Sequence, residues 1–180
     1  MRRGGPHPLA AALVALLLSR AASSQETFTT LLLKDSLSFT LPTEFAAVPV
    51  IDNPDVRYQF AMRSSAVKAE IRYSIFPASP SEQYAATWLQ TICLNLSKGK
   101  RCNIQPFPPA AVKAEFGADY GFTSLTALDS EFGRGYAYGM VNLIHKNAVA
   151  DVVTFFLFDD MKVMQSLLFQ DAVFHALRFK

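Results

Sequence analysis

The stretch Val149–Phe158 (VADVVTFFLF) constrains the fold more than any other part of the chain. It is apolar on both faces that a strand presents, with Asp151 and Thr154 as its polar members. Such a strand belongs at the centre of a sheet that is covered on both sides. Two further strand candidates, Tyr120–Leu128 and Tyr136–His145, come directly before it, so three consecutive strands are expected there. An architecture with two covering layers follows.

The upstream half supplies both more strands and a layer. Val56–Arg63 alternates, with Tyr58, Phe60 and Met62 on one face, and Val67–Phe76 places Ile71, Tyr73 and Ile75 on one face. With Ser64-Ser65 between them, the pair reads as a hairpin. Residues 27–41 (TFTTLLLKDSLSFTL) read as two short strands joined at Lys34-Asp35, followed by an irregular link between Pro42 and Pro49. Ser79-Pro80-Ser81-Glu82 has the pattern of a capping box, with Ser79 as N-cap and proline at the first helical position. Tyr84, Ala85, Trp88, Leu89, Ile92, Cys93 and Leu96 then recur at three- and four-residue spacing as one apolar stripe, and Gly99 ends the helix. Residues 103–116 are interrupted by Pro106, Pro108 and Pro109, with room for a short helix. Asp159-Asp160 caps a final helix lined by Met164, Leu167, Leu168, Phe174 and Leu177. Runs of strands separated by single helices predict an α+β fold, an α/β/α sandwich around a largely antiparallel sheet.

The N-terminus reads as an export segment. Arg2 and Arg3 precede the ten-residue apolar run Leu9–Leu18, and Ala22-Ser23-Ser24 supplies small residues before Gln25. This predicts a signal peptide over 1–24, cleavage between Ser24 and Gln25, and one domain over 25–180. Ten apolar residues span about 15 Å as a helix, half of a bilayer core, which argues against a permanent anchor. No transmembrane anchor is expected in the mature chain, and the protein is expected to be exported, periplasmic or secreted. Without the three arginines of that segment, 14 basic residues face 15 acidic ones. No basic block remains, which speaks against a nucleic-acid partner.

Cys93 and Cys102 are the only cysteines. Export places them where disulfides persist, and Gly99 lets the chain turn back alongside the helix, so a bridge between them is predicted. The alternative is that Cys93 packs in the stripe as a small hydrophobe.

The layout resembles the PsbP-like family. That resemblance rests on the order of elements and on a Pro-x-x-aromatic turn, here Pro42-Thr43-Glu44-Phe45. It implies an α/β/α sandwich over most of residues 27–179. Relatives of the fold include extrinsic subunits and assembly factors of membrane complexes, envelope lipoproteins and a nuclear import cofactor. The resemblance therefore implies a non-enzymatic binding or accessory role, and it supplies no catalytic residue.

Local chemistry adds little to this. His145 and His175 have no metal-ligand spacing around them and read as structural or surface histidines. No Gly-x-Ser-x-Gly elbow is present. Gly133-Arg134-Gly135 precedes a strand and not a helix, so it reads as a turn and not a phosphate loop. Asn95-Leu96-Ser97 is formally a glycosylation acceptor in a eukaryotic host. No cofactor and no metal are expected. The leading expectation is an exported accessory protein that binds an envelope protein or membrane complex. Its contact surface is expected at Pro106–Phe116 and at Phe132-Gly133-Arg134-Gly135-Tyr136, with Phe107, Phe132, Arg134 and Tyr136 as the contact residues. The runner-up is a carrier or sensor of a small apolar ligand held between the sheet and the last helix.

Overall fold

The structure, a computed structural model, describes residues 27–100, 102–129 and 131–180. The signal segment and its cleavage site at Ser24 and Gln25 lie outside the described residues. Strand β8 (Ala150–Phe158) is the middle strand of seven, as its two apolar faces require. It pairs antiparallel with β4 (Ala69–Pro77) on one side and β7 (Tyr138–Lys146) on the other. Outward from β4 lie β3 (Phe60–Ser64) and β2 (Phe45–Val48). Outward from β7 lie β6 (Tyr120–Ala127) and the two-residue β5 (Gln105–Pro106). The sheet order is β2-β3-β4-β8-β7-β6-β5, antiparallel throughout.

The strand pleat sorts side chains into two cores. On one face Ile71, Tyr73, Ile75, Met140, Ile144, Val152 and Phe156 pack beneath α1 (residues 27–34), α3 (Pro109–Phe116), α4 (Met161–Phe169) and α5 (Asp171–Phe174). On the other face Val141, Leu143, Val153, Phe155 and Leu157 pack beneath α2 (Glu82–Leu96), which buries Ala85, Leu89, Ile92, Cys93 and Leu96. This is the expected α/β/α sandwich.

Several details differ from the sequence reading, beginning with Phe45–Val48, which forms strand β2 inside the link read as irregular. Residues 27–34 are helical, because Phe28, Leu31 and Leu32 fall on one helical face and the ring of Phe28 stacks on Phe60 at 4.6 Å. Packing outweighs the β-propensity of the threonines there. The final helix breaks at Gln170, which adopts an extended conformation, and α5 restarts at Asp171. Leu177 leaves that helix altogether and starts β9 (Leu177–Phe179), which pairs with β1 (Leu37–Phe39) in a separate two-stranded sheet. Helix α2 begins two residues later than the capping-box pattern implies, with Ser81 as the N-cap accepting from the Tyr84 N–H at 3.2 Å. Asp160 caps α4 as expected, accepting from the Lys162 N–H at 2.8 Å.

The α2 face carries buried charge at both of its ends. At one end Arg72, 1% exposed, donates from Nε to Glu70 at 2.7 Å and from Nη1 to the Phe132 carbonyl. Its guanidinium lies 4.5 Å from the centre of the Phe132 ring and 5.0 Å from that of Tyr58. Arg63 completes the cluster with two bonds to Glu70. A carboxylate between two guanidiniums, both stabilised by hydrogen bonds, meets the condition under which buried charges are tolerated.

A candidate functional site beside the start of helix α2

The other end of this face holds a cavity of about 290 Å³ beside the start of α2. The sheet register builds its floor. Phe76 of β4 pairs with Asp151 of β8, Asp151 with His145 of β7, and His145 with Tyr120 of β6. Four side chains thus form one row across four strands, all on the α2 face. Asp151 is fully buried and His145 is 1% exposed.

Each buried polar group in the row is engaged except one. One Asp151 oxygen accepts from the backbone N–H of Ser79 at 3.1 Å and from its hydroxyl. The other faces Nδ1 of His145. Nε2 of His145 faces Oδ1 of Asn147 at 3.1 Å. The Asn147 N–H donates to Asp119 at 2.8 Å, and the Asp119 N–H donates to the His145 carbonyl at 2.7 Å. The Tyr120 ring lies flat on the His145 imidazole at 4.1 Å and 7°. The Tyr120 hydroxyl oxygen is the exception, buried without a partner. Burial, with Asp151, Glu82 and Asp119 as neighbouring negative charges, pushes its pKa up to about 12.

This explains the late start of α2. Ser79 was expected to cap the helix, but its backbone and side chain are both turned to the buried carboxylate, which holds its Oγ away from the helix N–H groups, and Ser81 caps instead. Charge-assisted bonds are stronger than neutral ones, so Asp151 wins the competition. The chain is thereby pinned to the sheet before α2 begins.

The walls are mostly apolar. Phe76, Pro77, Pro80, Tyr84 and Trp88 line the cavity together with Asp151. The Phe76 and Trp88 rings meet edge to face at 4.7 Å and 87°. Trp88 is thus half-buried at the rim of the core, and Tyr84 is 55% exposed.

The arrangement does not assemble a nucleophile. Asp151 lies between Ser79 and His145, so the serine proton points at a carboxylate that is already bonded to the histidine. In an activated serine the base contacts the hydroxyl directly and the carboxylate lies behind it. Ser79, Asp151 and His145 form a positioning network.

The other residues singled out in the sequence are scattered. Phe132 is fully buried, with its ring edge-on to Tyr58 at 6.0 Å and 4.9 Å from Phe155. Tyr136 is 9% exposed, beside Arg63 and Glu70. The expectation that these two aromatics face solvent is therefore corrected. Arg72 and Glu70 draw the turn inward, and Lys68 bonds the Gly135 carbonyl at 3.2 Å from outside. Arg134 is exposed at the tip of the turn, with φ of 46°. Phe107 is half-buried, stacked on Phe116 at 6.2 Å. The layer beneath the last helices, where the runner-up reading places an apolar ligand, holds the Phe174 ring, 5.5 Å from Phe116 and 6.0 Å from Phe156.

His175 lies at the end of α5, between Asp171 at 2.8 Å and Glu115 of α3 at 3.1 Å. Among the described residues no cluster of three metal-ligating side chains is placed to hold an ion. Cys93 and Cys102 are both buried and are hydrogen-bonding neighbours, without a bridge between them in this structure. Gln90 of α2, with its amide oriented to suit, makes two bonds to the Cys102 backbone at 3.0 and 3.2 Å. Burial pushes the Cys93 thiol up to about 12.

Among the described residues no helix is long and apolar enough to cross a membrane. No protein-family model matches the chain, and no curated protein matches it. Among solved structures the chain is similar to the solution structure of a cyanobacterial PsbP (CyanoP) from Synechocystis. The superposition has a TM-score of 0.52 at 13% identity and covers 82% of this chain and 88% of that one. At that identity the likeness is one of architecture: this chain has the PsbP-like fold.

Proposed function

We propose that this chain is an exported accessory protein of the cell envelope that works by binding another envelope protein or membrane complex, without catalysis. The observation that carries the reading is helix α4. Of its nine residues only Leu167 is buried. Met161 is 39% exposed and Phe169 is 89% exposed, with Val163, Met164 and Leu168 half-buried between them. Val163, Met164 and Leu168 pack inward against the core, but Met161 and above all Phe169 stay uncovered at the two ends of the helix, and exposed Met and Phe are residues that interfaces use. The PsbP-like fold and the absence of nucleophile geometry at Ser79 support the same reading.

The test is the size of the species that carries the chain in gently solubilised envelope. The wild type is expected to migrate in a complex larger than itself, and Phe169→Asp as the free protein. Phe169 buries almost nothing, so the substitution is expected to change stability by less than about 0.5 kcal/mol. Identical migration of both forms as the free protein overturns the reading, as does turnover of a substrate by the purified protein.

A further inference from the structure

The cavity beside α2 lies on the face of the sheet opposite α4, and its chemistry differs from that of the α4 surface. Three aromatic residues, Phe76, Tyr84 and Trp88, line it, with Phe76 and Trp88 at right angles. Asp151 supplies a carboxylate to the floor, with His145, Asn147 and Tyr120 behind it. Among the described residues lining the cavity there is no lysine or arginine. The positive end of the α2 dipole points towards this region, but Ser81 caps the first turn and Glu82 places an acid in it. What remains is a small cavity with electron-rich ring walls and a buried, already hydrogen-bonded carboxylate beneath its floor. Aromatic rings attract cations through their faces, and partly desolvated sites strengthen that attraction. Apolar walls meanwhile favour a head group clothed in methyl or methylene groups over a strongly hydrated ion.

We propose that this cavity binds an organic cation, a quaternary or substituted ammonium head group. The inference goes beyond the accessory role, because it concerns a different face of the protein. At about 290 Å³ the cavity takes a head group and little more. Two sources carry this chemistry, a free quaternary amine or a methylated lysine on a partner protein.

Trp88 is the only tryptophan in the chain, so its emission reports the site directly. The probe is choline, titrated at fixed ionic strength against 3,3-dimethylbutanol, its uncharged isostere. Choline is expected to change Trp88 emission saturably and to bind about tenfold more tightly than the isostere. Tyr84→Ala, at an exposed position, is expected to weaken choline by about fivefold while the circular dichroism spectrum stays unchanged. Asp151→Asn is expected to weaken it further where that variant folds. Equal affinity for choline and its isostere overturns the proposal, as does no saturable change, or undiminished binding by Tyr84→Ala. A trimethyl-lysine peptide that displaces choline, where the unmodified peptide does not, assigns the head group to a protein partner. Choline binding without peptide competition assigns it to a free amine. Phe169→Asp is expected to leave the titration unchanged, so failure of the cation site and failure of the α4 interface are told apart.

Discussion

Removing the Asp151 carboxylate is expected to destabilise the α2 face strongly. In Asp151→Ala the Ser79 N–H and the His145 Nδ1 site lose their partner together. The Ser79 hydroxyl rotates to another acceptor or to water, but a backbone N–H and a buried ring nitrogen have no such freedom. Two buried polar groups are left unpaired, at about 1–3 kcal/mol each. We expect a loss of about 4 kcal/mol, against a total stability of about 5–15 kcal/mol for a domain. With a urea m-value of about 2 kcal/mol/M, the midpoint falls by about 2 M with the slope unchanged. The assay is equilibrium urea unfolding followed by circular dichroism. His145→Ala is expected to cost less, because Asp151 keeps both bonds from Ser79, and the double variant is expected to fall short of the sum of the two losses. A loss below about 1 kcal/mol for Asp151→Ala would refute the claim that this carboxylate holds α2 to the sheet.

The turn at residues 132–136 separates core from surface. Phe132→Ala is expected to destabilise by about 3–5 kcal/mol and Arg134→Ala by less than about 0.5 kcal/mol, measured by the same unfolding assay. A similar small cost for both would return Phe132 to the surface. Ala148 holds φ at 57° in the β7–β8 turn; Ala148→Gly is expected to raise stability by about 0.5–1 kcal/mol, and a lowered midpoint contradicts it. For the cysteines, the exported protein unfolded without reductant is expected to show no reactive thiol, and two reactive thiols refute the bridge. In reduced, folded protein the raised Cys93 pKa keeps its thiolate scarce at pH 8. Alkylation of Cys93 is therefore expected to stay slow until the pH approaches 12, whereas ordinary thiol rates near pH 9 contradict the burial argument.

What the sequence made legible follows the strength of its periodic signals. Val149–Phe158 is apolar on both faces and proved to be the middle strand, and the α2 stripe buries five residues at the expected spacing. The segment at 27–34 failed because TFTTLLLK fits either period, and the contacts of Phe28 with Phe39, Phe60 and Tyr73 on other elements decide in favour of a helix. Strand β9 has three residues, and its partner β1 lies at the other end of the described chain, so no local signal marks it. The site splits the same way. His145 and Asp151 are equidistant from the centre of the β7–β8 turn, so their pairing was within reach of register arithmetic. Ser79 was not, because its partner lies 72 residues away and its own sequence context is that of an N-cap. Phe132 and Tyr136 looked like a surface turn because glycines flank Arg134. The buried Arg72 that holds the Phe132 carbonyl comes from a strand whose alternation gave no hint of an inward-facing charge.

The claim that this protein acts by binding is tested most directly by a photo-crosslinking amino acid placed in the living cell at position 169, with position 87 on the exposed side of α2 as reference. The account predicts one defined envelope protein joined to position 169, absent from position 87 and lost when the exposed Met161 is changed to aspartate. Equal yields of the same products at both positions, or no product at position 169 in an envelope where the protein is abundant, would contradict it.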